Sequence, residues 1–172
     1  MNPYKPVDTQ NRKPSFKKIT SIALLVGTLD ILAAMVITLL HGNGPIKMLR
    51  YIASGAFGNL AFSGGEIFTF LGLLFHYSLA FLWTILFFRA YPFLRKVIKS
   101  VLLLGIAYGL FVWGVMNLLV LPISKAFQGP FTMVSTLTGI LVLMVTMGLP
   151  LSCIANRFYN GAHKSSQRNQ KK

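Results

Sequence analysis

The chain has 172 residues, of which 54% are hydrophobic and 12% are charged, and its formal net charge is +14. This small number of charged residues cannot cover the surface of a water-soluble domain of this size. The composition therefore indicates a single membrane domain. The single cysteine, Cys153, excludes an intramolecular disulfide and a multi-cysteine metal site.

The N-terminal part predicts an arm followed by a first membrane span. Residues 1–17 are polar and basic and contain three prolines, a composition typical of a flexible arm. Residues 19–40 are apolar and long enough to cross a bilayer. This run is longer than a signal-peptide core, contains Asp30 and lacks a small-x-small end, so we interpret it as an uncleaved helix. Its small and polar residues recur at three- and four-residue steps along one helix face: Ala23, Gly27, Asp30, Ala34, Thr38 and His41.

The next segment predicts a short helix before the second span. Gly44 and Pro45 form a helix-start signal, and apolar residues then recur at helical spacing over about 46–57, with Lys47 and Arg50 off that face. An amphipathic helix lying on the outer face of the membrane fits this pattern. Residues 55–65 are apolar and glycine-rich, and a re-entrant segment is the alternative for them.

Three further apolar runs, at about 67–91, 97–121 and 131–154, complete four spans within a transmembrane domain over 18–158. Short links, among them a basic corner at 91–96, predict an all-α, antiparallel four-helix bundle, followed by a basic tail at 159–172. Five glycines are expected to allow close helix packing: Gly27, Gly72, Gly105, Gly109 and Gly139. The GxxxG pair in the third span favours packing within the bundle over a homodimer face.

The basic residues predict the orientation. Fourteen of the seventeen Lys and Arg residues lie before the first span, around the link between the second and third, or after the fourth. The other three, Lys47, Arg50 and Lys125, lie at the two remaining links. The positive-inside rule therefore predicts a plasma-membrane protein with both termini on the cytoplasmic side. Charges in this position meet anionic lipid headgroups, which explains them better than nucleic-acid binding does.

Ionisable and strongly polar residues inside the spans are the candidate site. Asp30 and His76 are each expected near mid-depth, on helix faces rich in small residues, where antiparallel neighbours would bring them together. Asn117 in the third span and Glu66 at the outer end of the second would continue a polar path outward. An Asp–His pair of this kind would respond to protons; alternatively, the two side chains form a hydrogen-bonded clasp that only fixes helix packing.

No motif for nucleotide binding, metal-dependent hydrolysis or nucleophilic catalysis is recognisable, so we expect neither an enzyme nor a metal or cofactor site. Two functions stay open. One is a membrane protein that handles protons or a small solute through Asp30 and His76. The other is a structural or assembly subunit, either a homo-oligomer or part of a larger membrane complex.

Three segments carry a resemblance to a known group of proteins: GLLFH at 72–76, YGLFVWGVMN at 108–117 followed by Leu121 and Pro122, and GLP at 148–150. They resemble small bacterial inner-membrane proteins with four predicted helices and no characterised activity, and the similarity covers roughly residues 18–157. The resemblance implies a bacterial inner-membrane location and an all-helical bundle. It implies no substrate and no catalytic residue.

Overall fold

The computed structural model describes residues 14–126 and 132–169, with side chains as far as Tyr159, and every regular element among them is helical. Four helices are long and apolar enough to cross a membrane: Phe16–Leu40 (α1), Ile67–Val97 (α4), Val101–Ile123 (α5) and Met133–Tyr159 (α6). Two shorter helices, Pro45–Phe57 (α2) and Leu60–Ser63 (α3), lie between α1 and α4. The predicted all-α class with four candidate membrane spans is thus confirmed. Residues 1–13 of the predicted arm and 170–172 of the predicted tail lie outside the described residues.

Local sequence signals account for the ends of α1 and α2. α1 begins at Phe16, three residues before the predicted span, and a turn follows Leu40 that includes Gly42, whose φ of 73° suits glycine. α2 begins at Pro45, where a missing N–H costs no helical hydrogen bond, and ends before Gly58. The Lys125 N–H donates to the Gly55 carbonyl at 2.9 Å and ties the end of α2 to the segment after α5.

α4 is longer than predicted, because it continues through Pro92 to Val97 instead of turning at residues 91–96. A proline inside a helix has no N–H for the carbonyl four residues earlier, here that of Phe88. The Tyr159 hydroxyl of α6 donates to this Phe88 carbonyl at 3.3 Å. A distant side chain therefore replaces the hydrogen bond that Pro92 removes. The turn into α5 is consequently confined to residues 98–100.

α5 and α6 each contain one π-helical turn, a feature found frequently at functional sites. The turn in α5 spans Met116–Val120, and the turn in α6 spans Met144–Gly148. Beyond α6 the same helix continues to Asn169, so the segment predicted as a tail from residue 159 is helical as far as that residue.

The long helices enclose a common core and leave apolar surface outside it. α1 packs against both α4 and α6, and α5 packs against α6. The core includes Val26, Phe87, Leu104, Val112 and Leu151, none more than 1% exposed. Each long helix also keeps large apolar side chains exposed on its outer face, for example Leu32, Phe70, Leu102 and Leu141. An apolar surface of this extent suits contact with lipid.

Candidate functional site

A cavity of about 430 Å³ lies between the long helices, with Met48 of α2 at its edge. The polar half of the α1 face opens into it, together with residues of α5 and α6. Its polar lining residues are Asp30, Thr38, His41, Asn117, Ser135 and Thr138, and the rest of the lining is largely apolar. The other half of the predicted α1 face is packed, since Ala23 and Gly27 are buried. The small and polar face of α1 therefore packs against the bundle at Ala23 and Gly27 and lines the cavity from Asp30 onward.

Asp30 lies near the middle of α1, about 15 Å from its end at Leu40 by helix rise. Its carboxylate Oδ1 accepts a hydrogen bond of 2.7 Å from the Thr146 hydroxyl, which belongs to the π-helical turn of α6. The same hydroxyl lies 2.8 Å from the Val142 carbonyl, a second acceptor for its one proton. A hydroxyl both donates and accepts, so Thr146 can serve Asp30 in either protonation state. With Asp30 protonated, the carboxyl donates to Thr146, and Thr146 donates to Val142.

His76 has a different partner from the one expected. Its Nε2 lies 2.8 Å from the Gly27 carbonyl on α1, and because a carbonyl only accepts, Nε2 carries the proton. The imidazole also meets the Tyr77 ring edge-on, with the ring centroids 5.4 Å apart. His76 is not part of the cavity lining. The hydrogen bonds of Asp30 and His76 thus go to different partners, Thr146 of α6 and Gly27 of α1, while His76 is close enough to Asp30 to act on it electrostatically.

Glu66 is also away from the cavity. Among the side chains that the structure describes, the one ion pair within 4.0 Å joins Glu66 Oε1 to the Arg50 guanidinium, at 3.7 Å. The same guanidinium donates to the Thr69 hydroxyl and to the Phe62 carbonyl, each at 3.3 Å. Because the Glu66 side chain is 84% exposed, this pair contributes little stability by itself. Arg50 instead connects α2 to the start of α4.

Asn117 does line the cavity, as part of the π-helical turn of α5. Its side-chain amide donates to the Trp113 carbonyl at 3.0 Å, a contact within its own helix. Trp113 and Trp83 both line the cavity, and they are the two tryptophans of the chain. The Trp83 indole N–H is buried and has no hydrogen-bond partner among the described residues. Trp83 is therefore a largely buried residue of the cavity wall, only 7% exposed.

The predicted packing glycines all lie at helix contacts. A methyl group at Gly27 would come within 3.0 Å of the Ala80 side chain, and one at Gly72 would overlap the Leu49 carbonyl of α2. In the third span, Gly105 and Gly109 face the backbone of α6, where a Cβ at Gly109 would lie 2.6 Å from the Met144 Cα. Gly139 leaves room for the Trp113 indole, whose Nε1 would lie 2.9 Å from an added Cβ. This last contact helps to shape the cavity wall.

Among the side chains that the structure describes, at residues 14–126 and 132–159, no group of three or more His, Cys, Asp or Glu could hold a metal ion. Compared with known proteins, the chain matches no family model, no curated protein and no solved structure.

The sequence patterns had not singled out two features of the site. In the sequence, Thr146 is one of several small residues of the fourth span. Its expected depth, similar to that of Asp30, is the one sequence feature that could have suggested it as a partner of Asp30. Trp83 and Trp113 looked like ordinary apolar residues of a span, because the pattern does not show which side chains border a cavity.

Proposed function

We propose that the chain is an integral protein of the bacterial inner membrane that handles protons or a small solute at Asp30. The observation that carries this proposal is the position of Asp30 on a cavity of about 430 Å³, near the middle of a candidate membrane span. An ionisable residue at such a depth is costly and commonly marks a substrate or proton path. The protein would act by binding and release rather than by covalent chemistry.

In this proposal the bundle is antiparallel, with both termini in the cytoplasm and α2 on the outer face. The distribution of basic residues supports the orientation, and the three-residue link between α4 and α5 supports the reversal of direction there. With this orientation the cavity extends from Asp30 toward the outer end of α1 at His41. A cysteine at Asn43 in a Cys153→Ala background should react with a membrane-impermeant maleimide on intact cells; protection until the cells are permeabilised would reverse the orientation.

In this proposal the four polar residues take different roles. Asp30 is the protonatable centre, Thr146 is its hydrogen-bond partner in both protonation states, and Asn117 borders the approach. His76 and Glu66 hold helices together through Gly27 and Arg50. The protonatable centre is therefore an Asp–Thr pair instead of an Asp–His pair.

A structural or assembly subunit is the second candidate. Two observations favour it: the Asp30–Thr146 bond joins α1 to α6, and the His76–Gly27 bond joins α1 to α4. Polar bonds between helices of this kind stabilise membrane proteins by about 0.6 kcal/mol on average. In this role Asp30 would matter for folding, and the cavity would be a packing defect filled by lipid or a partner helix.

Reconstituted liposomes distinguish the two candidates. Vesicles containing a pH-sensitive dye receive a pH gradient with wild type, with Asp30→Asn and with Glu66→Gln as the matched control, because Glu66 lies outside the cavity. We expect wild type and Glu66→Gln to dissipate the gradient faster than empty vesicles, and Asp30→Asn to lose this activity while it stays folded. Equal rates for wild type and Asp30→Asn, with a loss of thermal stability in the variant, would support the structural role.

A further inference from the structure

We infer that the cavity at Asp30 binds a monovalent organic cation, namely an ammonium group carried by a small apolar body. This inference rests on the proposed function, because it names the class of solute that the same site would accept. It depends on three properties of the cavity wall: its charge, its size and its aromatic surface.

The charge of the wall favours a cation. Asp30 is the one acidic residue among those that line the cavity, and neither Lys nor Arg belongs to the lining. Of the other lining residues, only His41 is ionisable, and its Nδ1 is engaged with the Ile37 carbonyl at 2.8 Å. Opposite charges attract strongly where water is scarce, so a bound ammonium would offset the cost of an ionised Asp30 at this depth. An anion would meet a carboxylate with no compensating cation.

The size and surface of the wall favour a small apolar body. Ligand pockets generally measure about 300–1,000 Å³ and are mainly apolar with a few polar groups, and a cavity of about 430 Å³ lies within this range. Apolar side chains such as Leu79 and Met147 form much of the lining. They would hold the hydrocarbon part of the ligand while the charged end reaches Asp30.

The two tryptophans supply the aromatic surface. Trp83 and Trp113 both border the cavity, on α4 and α5. Trp is the side chain whose ring face attracts cations most strongly, and the attraction grows as water is excluded from the site. An ammonium near Asp30 would therefore gain from both the carboxylate and the indole rings. A neutral solute of the same shape would lack both the ion pair and the cation–π attraction.

The same tryptophans make the test specific. Since the chain contains two tryptophans and both line the cavity, binding there should change its tryptophan fluorescence, and Asp30→Asn separates this site from the apolar pocket between α4 and α5 that Trp83 also lines. The full chain in nanodiscs is titrated with cyclohexylmethylammonium, with the neutral cyclohexylmethanol and with the anionic cyclohexanecarboxylate. These probes share one apolar body and do not absorb at the excitation wavelength. Wild type is compared with Asp30→Asn and with Glu66→Gln, whose acidic group lies outside the cavity.

We expect a saturable fluorescence change with the ammonium, at least about tenfold weaker binding of the alcohol and no binding of the carboxylate. Asp30→Asn should weaken ammonium binding about tenfold, and Glu66→Gln should leave it unchanged. Equal affinity for the ammonium and the alcohol, or no saturable ammonium binding, would overturn the inference. The comparison of the three probes on wild type needs no variant. It therefore tests the preference for a cation even if Asp30→Asn does not fold.

The outcome also separates this inference from the proposed function. If the alcohol binds as tightly as the ammonium while proton flux still requires Asp30, the cation class is wrong and the proposed function stands. If the ammonium binds selectively while flux is the same in wild type and Asp30→Asn, the site is a cation-binding site and the proposed handling of protons is wrong.

Discussion

The Thr146 hydroxyl lies 2.7 Å from the Asp30 carboxylate and joins the middle of α1 to the π-helical turn of α6. This contact places a protonatable group at the wall of a cavity and gives it a partner that can reverse the direction of its hydrogen bond. The pair is therefore central both to the proposed function and to the packing of the bundle.

Replacing Thr146 with Val should keep the shape of the side chain and remove the hydroxyl. We expect a loss of about 1 kcal/mol in unfolding free energy, together with a changed pH dependence of proton flux, because Asp30 loses its partner. Thr84→Val is the matched control, since the Thr84 hydroxyl bonds only within its own helix, to Ala80 at 2.8 Å. Thermal unfolding and vesicle flux measure the two effects. Identical flux in wild type and Thr146→Val would show that this hydroxyl has no part in the activity.

His76→Leu should weaken the contact between α1 and α4, because the imidazole donates to the Gly27 carbonyl. We expect about 1 kcal/mol less stability and an unchanged flux for each folded molecule. His41→Leu serves as the stability control, since that ring bonds to Ile37 within its own helix. A loss of flux in a stable His76→Leu protein would instead support a direct Asp30–His76 proton pair.

Gly72→Ala should separate α2 from α4, because the new methyl group would overlap the Leu49 carbonyl. Backbone cannot move aside as a flexible side chain can, so we expect a loss of about 2 kcal/mol in unfolding free energy. Gly114→Ala is the matched control, since nothing lies within 4 Å of its added Cβ. This control should be neutral or more stable by up to about 1 kcal/mol. Equal thermal stability of the two variants would contradict the close approach at Gly72.

Tyr159→Phe should destabilise α4 at the turn that contains Pro92. The hydroxyl donates to the Phe88 carbonyl that Pro92 leaves without a helical partner, so its loss should cost about 1 kcal/mol. In a Pro92→Ala background the alanine N–H can donate to the same carbonyl, and Tyr159→Phe should then cost less. A double-mutant cycle of unfolding free energies measures the difference. The same cost in both backgrounds would refute this account of how α4 passes Pro92.

The class of the fold could be predicted because each span is a long apolar run, and a bilayer tolerates such a run only as a helix. The start of α2 was equally visible, since Gly44 and Pro45 act locally. The continuation of α4 past Pro92 was not visible, because it depends on Tyr159, which is distant in sequence. The sequence around a proline indicates how the proline affects its immediate neighbours, but not whether a distant side chain compensates for the lost hydrogen bond.

The candidate site was predicted in part. Helical periodicity placed Asp30 on a face with Ala34, Thr38 and His41, and these residues line the cavity together. Periodicity does not show which neighbouring helix each part of a face meets. For this reason Asp30 was expected beside His76 of α4, which does act on it electrostatically, but its hydrogen bond to Thr146 of α6 was not expected. The π-helical turn that carries Thr146 has no signal in the sequence pattern.

The central claim is that Asp30 is a protonatable group accessible from the cavity. Its most direct test is the reaction of the chain with dicyclohexylcarbodiimide, an apolar reagent that reacts with protonated carboxyl groups. The chain has three acidic side chains, Asp8, Asp30 and Glu66, so mass spectrometry of its peptides can assign every adduct. If Asp30 is protonatable and accessible through the cavity, the adduct should form on Asp30, and vesicles treated in this way should lose proton flux. An unmodified Asp30, or full flux after its modification, would contradict the claim.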